Sequence, residues 1–364
     1  MLVLAHHYAS GPGAPLWFRR MVAIWQRGGW IGVDLFFVLS GFLISGLLFG
    51  EYVKRKRIHV GLFLVRRGFK IYPAFWCLLA VAVFVTRLVG GGWPEPMAMV
   101  RELLFVQNYW PGLLDHSWSL AVEEHFYILL PLLLQFMCRR GAPPDPFSGI
   151  ERFTWATMLV VLTMRILYCA SGRYEFVPAA TASHLRVDGL LFGVLLGYWY
   201  HFKGSSLSAF VRDHKHLLYF AALAAFVVGF GCSREWPFTH TIGFTVLTLG
   251  FGALLLLLIF HSVPRQGAAR LAWVVLGFVG AHSYSIYLWH RLLQRAAYWL
   301  CRNWLTAHWV VDVGVYFGLC LAGGIVVAKI IEFPVLRVRD RLFPSRSPAL
   351  LTPPNVDSAP SVIA

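Results

Sequence analysis

The sequence predicts an all-α, polytopic membrane bundle, and three observations carry that prediction. The chain has 364 residues, of which 58% are hydrophobic and only 13% charged, whereas soluble domains sit near 25% charged. Mean hydropathy is +0.63. The apolar residues gather into runs close to the ~20 residues that a helix needs to cross a bilayer. The net charge of +15 is not read as nucleic-acid affinity, because the basic residues fall in short loops between apolar runs, where they report topology.

In order, the first run, Met1 to Tyr8, is shorter than a span, so the sequence predicts a half-span whose helix either begins upstream or is truncated. Nine full spans are expected near 30–50, 71–90, 119–137, 153–170, 183–201, 216–232, 241–261, 271–290 and 309–331. Lys and Arg outnumber their counterparts about two to one in the alternate loops that include 51–70 and the C-terminal segment. The positive-inside rule then puts those loops and the C-terminus in the cytoplasm, in a plasma (inner) membrane. Residues 1–343 form the membrane domain, and the Pro- and Ser-rich stretch 344–364 reads as a disordered cytoplasmic tail. The six scattered cysteines show no metal-ligand spacing and read as small hydrophobes. Trp30, Trp93, Tyr109, Trp110, Trp199 and Trp309 fall near span ends and read as interfacial anchors.

Polar residues inside such spans are costly and are functional-site hypotheses by default. With orientation assigned, five spans bring them to one side: His6 and His7; Asp34; Trp118, Ser119, Glu123 and Glu124; His184, Arg186 and Asp188; and Tyr287 and His290. Ser119, Glu123 and Tyr127 are four apart and share a helical face, as do Ser283, Tyr287 and His290. A shared outward-facing polar cavity follows, with no metal site. On the cytoplasmic side, Arg66, Arg67 and Lys70 lie on one helical turn. They suit either a polyphosphate, through bidentate arginine contacts, or anionic lipid headgroups. Gly189, Gly193 and Gly197 fit close helix packing.

The stretches LAHHY (4–8), GVDLFFVLSGFLIS (32–45), RRGFKIYP (66–73), WSLAVEEHFY (118–127), RVDGLLFG (186–193), SYSIYLWH (283–290) and EFPVLR (332–337), in that order, resemble the acyltransferase-3 family of membrane O-acyltransferases. The resemblance implies about ten spans, no resident cofactor, acyl-CoA as a cytoplasmic co-substrate, and a glycan hydroxyl acceptor on the far side, in an O-antigen, an exopolysaccharide or a similar polymer. It maps the essential histidine to His6, with His7 as the adjacent alternative. It maps the GVD acid to Asp34, the WSLxVE pair to Ser119 and Glu123, and the basic pair to Arg66 and Arg67. The arginine that the family usually carries about three turns before the histidine has no counterpart here, and Lys70 stands where arginine is common.

The chemistry expected is general-base attack. His6 would take the proton of a sugar hydroxyl, Asp34 or Glu123 would hold its imidazole, and Arg186 or Tyr287 would stabilise the oxyanion. Trp118, Asp188 and His290 complete the expected substrate-binding wall. The rivals are a flippase for a lipid-linked glycan and an inactive glycan-binding relative. The absence of an evident internal repeat counts against transport.

Overall fold

The computed structural model describes residues 1–346 apart from 12, 142–144, 173, 262–265 and 305–307; the tail expected at 344–364 lies, from 347 onward, outside the described residues. Every described element is helical. In chain order they are α1 (Leu2–His7), α2 (Leu16–Gly28), α3 (Gly32–Arg55), α4 (Val60–Leu88), α5 (Pro96–Leu103), α6 (Trp118–Arg140), α7 (Ile150–Ala170), α8 (Phe176–Thr181), α9 (Val187–Phe202), α10 (Gly204–Asp213), α11 (Lys215–Gly231), α12 (Phe244–Ile259), α13 (Gly267–Ala281), α14 (Ser283–Asn303), α15 (Trp309–Val327) and α16 (Phe333–Leu342).

Among the described residues, six helical stretches are long and apolar enough to cross a membrane, and eight if two bent pairs each count as one span. Nine full spans were expected. The shortfall is α9, whose 16 residues start only after Arg186 has left helical geometry. The other departure concerns 271–290, expected as one outward-running span with Tyr287 and His290 at its end. The chain instead bends by 71° between α13 and α14, so Tyr287 and His290 sit in the first half of α14.

α3 and α9 form the centre. Their backbones touch: a Cβ on Gly41 would collide with the Leu190 carbonyl, and one on Gly193 with the Val38 carbonyl. Glycine at both positions is what permits that approach. Around the crossing packs a core that includes Phe37, Phe42, Phe49, Phe75, Leu195 and Phe251. A smaller cluster, with Leu4, Tyr8, Phe18, Tyr316 and Cys320, ties α1 to α15. Leu159, Leu167, Phe220, Leu223 and Ile330 face outward, as lipid-facing residues do.

The long axis of α3 sets the scale of the molecule. Asp34 stands in its first turn and Leu48 near its other end, 14 residues apart on the chain, or about 21 Å at 1.5 Å per residue. One cavity opens at each end of this helix.

Candidate active site

The cavity at the first end of α3 has a volume of about 200 Å³, and His6, His7, Asp34, His116, Arg186 and Arg234 are among its lining residues. α1 reaches it by packing on Gly29, where a Cβ would strike the Leu2 carbonyl and the His6 side chain. His6 Nδ1 lies 2.5 Å from the Gln26 carbonyl oxygen. A carbonyl only accepts, so Nδ1 carries the proton and Nε2 keeps its lone pair. His7 takes the other tautomer: its Nδ1 faces the Arg291 guanidinium at 3.5 Å, and arginine only donates, which puts the proton on Nε2. Two adjacent histidines thus offer one acceptor and one donor.

The imidazole of His6 is therefore oriented by a backbone carbonyl, not by the Asp34 or Glu123 carboxylate expected from the sequence. Asp34 is used elsewhere. Arg186 donates to it at 2.7 Å, and Arg165 donates to Asp188 at 2.6 Å, with all four side chains buried. Arg186 also lies 3.7 Å from the Phe244 ring centroid and 5.8 Å from that of Trp118. Its Nε and Nη1, and Asp34 Oδ2, have no partner. Removing one member of such a pair leaves an uncompensated buried charge, so the four residues act as a unit.

α6 carries the polar face from this cavity into the bundle. Ser119 Oγ lies 2.6 Å from Tyr287 Oη, and Tyr287 donates onward to the His116 carbonyl. One turn deeper, the buried Glu123 carboxyl lies beside Ser40 and Tyr127, whose hydroxyls are 2.5 Å from each other. A guanidinium, Arg67, sits 4.1 Å from the Tyr127 ring centroid. The shared face of Ser119, Glu123 and Tyr127 is real, but it runs along the bundle and does not form one wall at one depth. His290 donates from Nδ1 to the Tyr287 carbonyl; its ring lies 5.2 Å from that of His7 and 5.0 Å from that of His116.

Sequence reasoning missed Asp115, His116, Arg234, Arg291 and the role of Trp30, which is buried at the cavity instead of anchoring at an interface. The loop before α6 delivers Asp115 and His116. The Leu114 amide at 2.7 Å and the Ser117 hydroxyl hold it onto Glu102, whose carboxyl burial pushes above its ordinary pKa. Asp115 receives two bonds from Arg291, the shorter at 2.6 Å. His116, whose Nδ1 lies 3.5 Å from it, and then Arg291 hold its carboxyl well below the usual carboxylate range. The available signal was the tripeptide DHS just before WSLAVEE, polar residues crowded against a span start.

The second cavity, about 360 Å³, lies at the other end of α3, and Glu51, Arg66, Arg67, Lys70, Arg339 and Arg346 are among its lining residues. Arg66 bonds Asp340 at 2.9 Å and the Phe343 carbonyl. Lys70 pairs with Glu332, which a π-helical turn at Ala328–Glu332 turns inward. The three cations expected to act together are thus divided, two toward the C-terminal segment and Arg67 toward Tyr127. A further cavity of about 140 Å³ adjoins the first one at the same end of α3, with Val33, Phe36, Ser119, Tyr284, Tyr287 and His290 in its lining. Among the described residues, no group of His, Cys, Asp or Glu has the makings of a metal site.

A helical membrane protein with a histidine-lined cavity at one end and an arginine-lined cavity at the other is the class that fold and site define. The acyltransferase-domain family matches residues 1–329, and the chain belongs to that family. It is accordingly an integral membrane protein. It is 29% identical over 293 residues to the O-acetyltransferase OatA of Staphylococcus aureus strain NCTC 8325 / PS 47, and equally to that of strain COL; in each case the match covers 74% of this chain and 46% of the relative. The chain thus spans about half the length of these relatives. No solved structure matches it.

Proposed function

We propose that the protein transfers an acetyl group from acetyl-CoA to a hydroxyl of a cell-surface or secreted glycan. The observation that carries this reading is the tautomer of His6, whose unprotonated Nε2 belongs to a cavity lined with hydrogen-bond donors. The acceptor oxygen attacks the thioester carbonyl as Nε2 takes its proton. A C–O bond forms, the C–S bond breaks, and the proton passes to the leaving thiolate. The Nε2–H of His7 is suited to the oxyanion of the tetrahedral intermediate.

In this reading the basic cavity holds the phosphates of CoA. It faces the cytoplasm of a plasma membrane, and the acyl-bearing arm extends from it along α3 toward His6. Membership of an acyltransferase family and similarity to proteins named O-acetyltransferase support the reaction type, and the basic residues grouped at one end support the donor.

The test is reconstitution of the full chain in sealed vesicles, with acetyl-CoA labelled in the acetyl group on the basic-end side and a glycan on the other. Labelled ester on the glycan that requires both protein and acetyl-CoA is the expected result. Movement of glycan without ester would replace this reading with transport, and glycan binding without either would leave a binding protein.

A further inference from the structure

The loop between α11 and α12 contributes Arg234 to the histidine-end cavity. Around that cavity the other arginines have carboxylate partners within 4 Å: Arg186 with Asp34, Arg165 with Asp188, and Arg291 with Asp115. Arg234 has none among the described residues. Its guanidinium instead lies 4.9 Å from the Phe176 ring centroid and 6.0 Å from that of Trp30. Aromatic contacts of this kind hold a guanidinium without using its in-plane N–H groups, which stay available to an acceptor. Next to it in the lining stands Arg186, 97% buried, with Nε and Nη1 unpartnered.

A cation kept without a counter-ion in a partly dry cavity is expensive, and an anion entering the cavity would offset that cost. His6 lies within electrostatic range of Arg234, so the anion would sit near the reacting hydroxyl. The phosphates of the donor have their own cationic cavity at the other end of α3, about 21 Å away on the helix rise. The volume of about 200 Å³ is below the roughly 300–1,000 Å³ of drug-sized ligand sites and suits one sugar residue with its substituent.

We propose, building on the acetyl-transfer reading above, that the acceptor is an anionic glycan. Its carboxylate or phosphate, close to the hydroxyl being acylated, is held by Arg234 and by the free edge of Arg186.

The test compares the full-length wild type with Arg234→Gln and Arg234→Lys, reconstituted and supplied with acetyl-CoA. The acceptors are neutral galactotriose, trigalacturonate, and a trisaccharide carrying one phosphate. The expected wild-type result is a kcat/KM at least about tenfold higher for one charged acceptor than for the neutral one, the size of a charge-assisted hydrogen bond. The better of the two charged arms then names the anion. Arg234→Gln should raise KM for the charged acceptor at least about tenfold more than for the neutral one, erasing that preference, and Arg234→Lys should restore part of it.

Equal loss of kcat on neutral and charged acceptors would make Arg234 an oxyanion donor and overturn the proposal, as would a wild type without charge preference. If the wild type esterifies nothing, the acetyl-transfer reading has failed on its own. Anion recognition is then read from thermal stability, where charged but not neutral trisaccharide should stabilise the wild type and not Arg234→Gln. Stabilisation that is equal for both sugars or both proteins would overturn the proposal.

Discussion

The ion pairs at the two ends of α3 are built differently. At the histidine end, Arg186 and Asp34 are 3% and 7% exposed, locked between α3 and the start of α9. At the basic end, Arg66 is 18% exposed and its partner Asp340 53% exposed, on the terminal helix α16. A buried pair cannot exchange its partner without stranding a charge, whereas an exposed one trades its carboxylate for another anion at small cost. The Arg186–Asp34 pair is therefore a fixed scaffold, and Arg66 at the basic end is a cation whose present carboxylate partner another anion can replace.

The strongest test of the fixed end is His6, the base of the proposed reaction. His6→Ala should lower kcat by roughly 10²–10⁴-fold, the usual worth of a general base, with little change in KM for acetyl-CoA. His7→Ala, which removes a donor and not the acceptor, should cost less. Initial rates of ester formation decide both, and a His6→Ala protein with wild-type kcat would remove His6 from the chemistry.

Next in size is the buried tetrad. Asp34→Asn should destabilise by roughly 3–5 kcal/mol, because Arg186 is left charged and unpaired. Asp34→Asn combined with Arg186→Gln should cost less than the sum of the two single changes. Unfolding followed in detergent reads this out. Additive losses would mean that the two residues do not act as a pair.

What was legible in the sequence follows the same division. The α-helical bundle, the close packing at the glycines of α9 and the polar residues of the first cavity were readable, because hydropathy and periodicity carry depth along a helix. Partnership was not readable. Depth placed Asp34 and Glu123 beside His6, but α9 brings Arg186 to Asp34, and Glu123 lies beside Ser40 and Tyr127. Helix neighbours depend on packing across the bundle, which a single sequence does not encode locally. Breaks were equally hidden. The 71° bend before Ser283 falls within an apolar run without proline, so the run looked like one span. Loop residues such as Arg234 and Asp115 escaped because charge in a loop is read first as topology.

At the exchangeable end the effects should be moderate and should separate binding from pairing. Arg66→Ala with Arg67→Ala should raise KM for acetyl-CoA by about tenfold, the loss of one or two charge-assisted contacts, with kcat altered less. Asp340→Asn removes the carboxylate that Arg66 and Arg339 share and leaves Arg66 its bond to the Phe343 carbonyl. It should therefore leave KM unchanged or lower it, since the guanidinium edge that faced Asp340 is released to the phosphate. A rise in KM in Asp340→Asn matching that of the arginine variant would show that the pair itself, and not the free cation, is what the donor needs.

The smallest effect belongs to Asp115, which stands at the rim of the fixed end with its side chain 60% exposed. Its carboxyl is held well below the usual range by His116 and Arg291. Lowering the folded pKa stabilises the folded state at every pH above the unfolded value of about 3.9. That contribution is lost as the pH falls below that value toward the folded pKa. Solvent screening keeps it small, within about 1 kcal/mol for an exposed pair. Asp115→Asn should then lower the melting temperature by the same small amount at pH 5, 6, 7 and 8, and the two proteins should converge only below about pH 4. A difference that instead changes between pH 5 and 8 would show that the Asp115 carboxyl is not the group whose charge sets this part of the stability.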